Sequence, residues 1–229
     1  MMRTVRCTFL LLASVSSAWA GIPIDRTMTC PVGGEEFTTT GTASCTTMGR
    51  TMSFRPLTSC DFITRLPVCP SNGLPVFDEF TEDQVAELAT FLKTTEYEKI
   101  KMLPPWQRAY ALAVHLGQSG TETAFWLMQN SMWYETESFF ESQEALDQLL
   151  HEAEFELKRA PEEARPFMNS VFAYALAYAG RLEESNERLK LAEQAADAPE
   201  HLQKYISAVR ACQADMTAQE CQPDTRFNR

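Results

Sequence analysis

Cysteine is the residue type with the most chemistry to offer in this sequence. Cys30, Cys45, Cys60 and Cys69 lie in its first third, and Cys212 and Cys221 stand close together near the other end. Thiolates bind zinc, exchange with disulfides or pair with one another, and the redox compartment decides which. An even set in an exported chain favours disulfides, although six cysteines allow fifteen pairings and the sequence alone does not choose among them. Cys-x-x-Cys is absent, which argues against a thioredoxin-like role. Histidine chemistry is confined to His115, His151 and His201, each within a predicted helix. His151-Glu152 lacks the second histidine of a zinc-protease helix, and no Gly-x-Ser-x-Gly elbow, phosphate loop or dinucleotide fingerprint is present. No catalytic residues are assigned.

Whether six or seven cysteines matter depends on the first twenty residues. Arg3 and Arg6 precede a short apolar stretch, and Ala18-Trp19-Ala20 supplies the small-x-small pattern of a cleavage site, so residues 1–20 are expected to be a secretory signal cut between Ala20 and Gly21. Ser14, Ser16 and Ser17 dilute the stretch below the roughly 18 apolar residues that a membrane span requires. Cleavage removes Cys7 and two arginines, taking the formal charge from −11 to −13. The expected protein is periplasmic or secreted, with no integral membrane segment. Its acidity argues against nucleic acid and anionic lipid as ligands and favours a basic partner.

Two regions must position these cysteines. Residues 21–78 are rich in Thr, Gly, Pro and Cys, with β-prone runs at Phe37–Thr40, Thr51–Phe54 and Asp61–Ile63, and read as a small β module too poor in core to fold without crosslinks or a metal. Residues 79–214 read as helices, followed by a tail over 215–229. Thr81-Glu82-Asp83-Gln84 matches a capping box. Pro104-Pro105 precedes a helix running from Trp106 to Leu116, and Ser119-Gly120-Thr121-Glu122 opens another. A further helix carries Leu146, Leu149, Leu150, Ala153 and Leu157 on one face, with Glu152, Glu154, Glu156 and Lys158 expected in solvent. Phe172, Ala173, Leu176, Gly180, Ser185, Leu189 and Ala192 fall at the offsets of a tetratricopeptide helix pair, which this stretch resembles, with Ser185 where that family prefers Ala. Leu202, Tyr205, Ile206 and Val209 form the stripe of a closing helix. The expected fold is α+β and mostly α: a β module followed by antiparallel helical hairpins.

Cys30-Pro31-Val32-Gly33-Gly34 and Cys69-Pro70-Ser71-Asn72-Gly73 share the frame Cys-Pro-x-x-Gly. A zinc ribbon uses Cys-Pro-x-Cys-Gly twice, so that four thiolates meet on one tetrahedral metal. Here Gly33 and Asn72 stand where the second cysteines would be. The chain thus resembles a bacterial family of unknown function in which paired Cys-Pro-x-Cys-Gly knuckles precede a tetratricopeptide-like region. The likeness includes the Phe-x-Thr run after the first knuckle and the Gly49-Arg50 segment between knuckles. Thiolates on one zinc lie roughly 4 Å apart, so keeping one cysteine per knuckle without the metal leaves Cys30 and Cys69 near bridging distance. The pairing that follows is Cys30 with Cys69, Cys45 with Cys60, and Cys212 with Cys221, with no cofactor. The alternative is a relocated zinc site made of Cys30, Cys45, Cys60 and Cys69.

The aromatic run Phe125, Trp126, Trp133, Tyr134, Phe139 and Phe140 is either core or the lining of a groove. In the second case Trp133 or Tyr134 reaches the concave face of a helical stack and anchors a protein or peptide. The functional expectation is a noncatalytic exported binding or scaffold protein. The alternative is an unrecognised enzyme, or a zinc or redox protein using the N-terminal cysteines.

Overall fold

A computed structural model of the chain describes residues 21–194 and 199–227. The expected signal segment therefore lies outside the described residues. The β-prone N-terminal region forms two separate antiparallel pairs. Strand β1 (Pro23–Thr29) pairs with β2 (Glu36–Thr42) in continuous register, and β3 (Thr47–Arg50) pairs with β4 (Pro56–Thr58) through an irregularity. Of the three β-prone runs, Phe37–Thr40 lies in β2, whereas Thr51–Phe54 and Asp61–Ile63 are turns. Propensity does not decide these two, because other groups take their main-chain hydrogen bonds. The Ile63 N–H, for example, donates to Cys60 O.

Nine α-helices follow among the described residues. The Thr81 capping box opens α1 (Glu82–Phe91), with the Gln84 side chain returning to the Thr81 N–H. A short α2 (Thr95–Ile100), capped by Thr94, was not expected. Next come α3 (Pro105–His115) and α4 (Glu122–Tyr134), the latter capped by Thr121. They are followed by α5 (Thr136–Glu141) and the amphipathic α6 (Gln143–Arg159). The tetratricopeptide-like pair is α7 (Arg165–Tyr178) and α8 (Leu182–Glu193), which pack along their lengths. At their junction Gly180 takes φ +80°, and the Arg181 N–H closes back on Leu176 O. That left-handed position is what glycine permits at a helix end. Ser185 is fully buried and its hydroxyl donates to Ala173 O on α7, while the Gln213 amide beyond α9 (Glu200–Cys212) donates to Ser185 Oγ. The serine found where tetratricopeptides prefer alanine thus joins three elements.

Glu152 corrects the expectation for α6. It is fully buried, and its carboxylate accepts from Tyr110 Oη, Ser119 Oγ and the Gly120 N–H at 3.1, 2.9 and 2.6 Å. It fixes the α3–α4 connection against α6. Its neighbours Glu154 and Glu156 are bonded to Arg188 and Arg159 nearer the surface.

The three disulfides join Cys30 to Cys69, Cys45 to Cys60 and Cys212 to Cys221, with Cα separations of 5.6, 5.5 and 5.5 Å. The first lies in an apolar cluster with Leu74, Leu88, Phe91, Tyr97 and Leu112, so the module shares a core with α1, α2 and α3. The second knuckle is held to the helices by Tyr97 Oη on Asn72 O and Arg108 Nη1 on Gly73 O.

The larger core spans α3 to α9 and contains Met52 of the module. Thr51, Met52 and Ser53 form a turn buried among helices, where an unpartnered main-chain polar group is costly. Each of their main-chain groups has a partner. Thr51 N–H donates to Arg55 O, and Phe54 N–H donates to Thr51 O. Met52 N–H donates to Thr225 O and Ser53 N–H to Pro223 O. Tyr205 Oη donates to Met52 O at 2.6 Å, and Trp133 Nε1 donates to Ser53 O at 2.9 Å. Residues 223–227, expected to be a tail, therefore run beside the module, with Thr51 and Arg226 forming a bridge.

Two stability outcomes follow. Tyr205→Phe leaves Met52 O buried without a donor and is expected to cost about 1–3 kcal/mol in urea unfolding; an unchanged midpoint would show that the turn does not depend on this bond. Replacing both Cys30 and Cys69 with Ala is expected to cost about 2–4 kcal/mol, measured the same way against the oxidised parent.

Candidate functional site

The knuckles come first, because the family resemblance implies zinc there. Cys30, Cys69 and the Glu35 carboxylate place one potential ligand atom each within 4.8 Å of one another. The donor set nevertheless does not fit a structural zinc. Both sulfurs are spent in a disulfide, and Cys45 and Cys60 are joined separately. Glu35 accepts from the Ser71 hydroxyl and, at 3.2 Å, from the Ser71 N–H, which hold its carboxyl below the usual range. Asn72 donates to Val32 O at 2.6 Å across the two loops and accepts from the Leu74 N–H at 2.9 Å. Gly33 has φ +112°, and a Cβ there would meet Glu35 Oε2 at 2.7 Å. Of the two positions that lack cysteine, Asn72 thus ties the loops together, while Gly33 leaves room for the Glu35 carboxylate.

Gly21, at the expected cleavage point, is buried with its N–H donating to Ser59 O at 3.3 Å; Ala20 lies outside the described residues. The histidines are not brought together. His115 Nε2 lies 3.3 Å from Glu87 Oε1 and its ring stacks on Phe91, His151 packs edge-on against Phe155, and His201 is exposed on α9.

An aromatic-lined concave surface lies instead where the module wraps α4. Because α4 is apolar on most sides, it can bury Phe125, Met128 and Met132 while turning other aromatics toward the module. A cavity of about 250 Å³ is lined by Phe54, Phe125, Trp126, Trp133, Phe167 and Phe172, with Arg50, Gln129 and Glu156 as polar members. Beside it a cavity of about 350 Å³ lies among Leu66, Phe77, Trp106, Trp126 and Leu127. A third, of about 400 Å³, is bounded by Arg55, Arg65, Leu66, Trp106, Tyr134 and Glu135. Trp126 is shared by the first two, and Arg65, Leu66 and Trp106 by the last two. The three therefore adjoin one another as a groove along α4, bordered by residues 50–77 and, at the first cavity, also by Phe167 and Phe172 of α7.

Trp126 is the ridge of this groove. It is 44% exposed, with its indole N–H donating to Glu122 at 3.3 Å and its ring edge-on to Phe125 and Trp133. Trp133 does not stand on an open face: it is 9% exposed, its N–H is bound to Ser53 O, and it contributes only to the cavity wall. Tyr134 is half-buried, stacked near Trp106, with the Arg55 and Arg65 guanidiniums 5.8 and 4.8 Å from its ring centre. The aromatic run pointed to this region, but it did not distinguish Trp126 as its exposed member. That requires knowing which side of α4 the module covers.

Phe54 shapes the opposite wall. It is the single non-glycine residue with positive φ among the described residues, at 66°. Held-in strain of this kind is characteristic of functional positions. The preceding turn enforces it, and the ring packs edge-on against Phe167 and Tyr205.

Glu135 closes the far end. Helix α3 begins at a Pro-Pro pair without a side-chain cap of its own, and Glu135, between α4 and α5, supplies one, accepting from the Trp106 and Gln107 N–H groups at 2.7 and 3.3 Å and from Ser131 Oγ at 3.0 Å. Burial raises its carboxyl above the usual range against the pull of these donors. A raised folded-state value favours the protonated acid. The associated stability is present below the ordinary carboxylate range and is lost as pH rises through the folded-state value. Glu135→Gln is therefore expected to gain on the parent between about pH 4 and pH 7, read from urea unfolding at both values; a constant difference would overturn this assignment.

Comparison of the chain with protein-family models, curated proteins and solved structures gives no match.

Proposed function

We propose that this chain is a noncatalytic binding protein, exported to the periplasm or secreted, which holds an extended segment of a protein partner in the groove along α4. The observation that carries this reading is Trp126, a large aromatic left 44% exposed between two apolar cavities. Tryptophan, tyrosine and arginine dominate binding hot spots where they border well-packed pockets. Helix α4 has 13 residues and spans about 20 Å, which an extended peptide covers with about six residues. Three disulfides support maturation in an oxidising compartment. No helix among the described residues is long and apolar enough to cross a membrane.

Selection of a random-peptide display library on the oxidised protein tests the proposal. Peptides are expected to be enriched that bind the parent at least about tenfold more tightly than Trp126→Ala, while that variant keeps the parent's melting curve because the ring is outside the core. An absence of enrichment, or binders indifferent to Trp126, would sink the reading.

A further inference from the structure

The third cavity says something about the partner that the net charge does not. Its module wall presents two guanidiniums, and their hydrogen bonds can be counted. Arg55 uses Nη2 on Asp224 at 3.0 Å, and its Nε is buried with no partner. Arg65 uses Nη2 on Asp61 at 3.1 Å and on Thr58 Oγ1 at 3.3 Å. Among the described residues the remaining nitrogens of both side chains and the Tyr134 hydroxyl make no hydrogen bond. The acids nearby are committed differently. Both Glu135 oxygens are turned to α3 and Ser131, and Asp61 and Asp224 are exposed, each already holding one arginine. The cavity therefore has several free donors around one phenol ring. Glu135, the acid buried in its wall, has both oxygens occupied.

We infer that the partner segment carries a carboxylate beside its apolar anchor, received by Arg55, Arg65 and Tyr134 while the anchor lies against Trp106 and Trp126. This rests on the groove reading above. Arginine presents paired N–H groups that match a carboxylate, and a charge-assisted bond of this kind is roughly twice as strong as a neutral one. The apolar walls Ile63, Leu66, Pro105 and Trp106 lower the effective dielectric around it. A lysine at the same point would meet two guanidiniums, while Asp61, the other acid in this wall, is already held by Arg65. The basic partner expected from the overall charge of −11 is thus replaced, at the site of contact, by an acidic one. A side-chain carboxylate and a chain-end carboxylate share this chemistry.

Three heptapeptide display libraries, random except for a fixed central Asp, Asn or Lys, are selected on the full oxidised protein. The Asp library is expected to yield binders and the other two not. The best peptide, labelled with fluorescein and followed by anisotropy, should bind about tenfold more weakly to Arg55→Gln and to Arg65→Gln. Arg65→Lys should recover only part of the loss, since it restores charge without the fork. Unchanged unfolding curves separate these effects from misfolding. Amidating the peptide's C-terminus, or changing its Asp to Asn, shows which carboxylate is bound. Equal yields from all three libraries, with binding that still depends on Trp126 and survives C-terminal amidation, would overturn the carboxylate inference and leave the groove reading standing. No binders from any library would overturn both.

Discussion

The turn at Thr51, Met52 and Ser53 is the constraint on which the rest of the molecule depends. A polar main chain at the centre of a helical core is tolerable only when each of its N–H and C=O groups is bonded. Here Thr51 is bonded locally, but the partners of Met52 and Ser53 come from three distant places: the α4 indole of Trp133, the α9 phenol of Tyr205, and the main chain at Pro223 and Thr225. The module, the helices and the C-terminal segment are accordingly parts of one core. Phe54 follows directly, with its unusual backbone held by Thr51, and Arg50 and Arg55 flank the turn on either side. One wall of the groove is built from the residues that emerge from this turn.

The knuckles show a comparable economy at the other core. A zinc ribbon holds two loops with four metal bonds. In this chain the same two loops are held by one disulfide, by the Glu35 contact to Ser71 and by the Asn72 amide reaching Val32. The disulfide constrains mainly the unfolded chain, whereas the other two orient the loops once they have met. Asn72 has a second duty, since its own carbonyl receives Tyr97 and so aligns the loop with α2. The two Cys-Pro-x-x-Gly loops therefore meet through bonds of a different kind.

Much of this was legible in the sequence, and what was not has a common physical cause. Capping residues are read locally, so Thr81 and Thr121 mark true helix starts, and the glycine at position 180 marks the turn between α7 and α8. The repeated Cys-Pro frame likewise pointed to facing loops. Periodicity places Glu152 on the solvent side of α6, and only the folded α3–α4 connection supplies the donors that make its burial tolerable. Thr51–Phe54 reads as strand for a similar reason, since hydrogen-bond partners of its turn lie 80 and 153 positions away in the sequence. Trp126 was grouped with its aromatic neighbours because exposure on an apolar helix depends on where another segment stops covering it. The arginines of the groove carried no local signal at all.

The long reach of the Met52 turn also sets an order of events during synthesis. Contacts separated this widely in sequence form late, because the intervening loop must close before they stabilise anything. The module emerges first from the ribosome, but its central turn has unmet hydrogen bonds until α9 and residues 223–225 exist. An unfinished chain thus lacks the wall of its own groove. If the groove holds a partner as proposed, only the completed polypeptide can engage it.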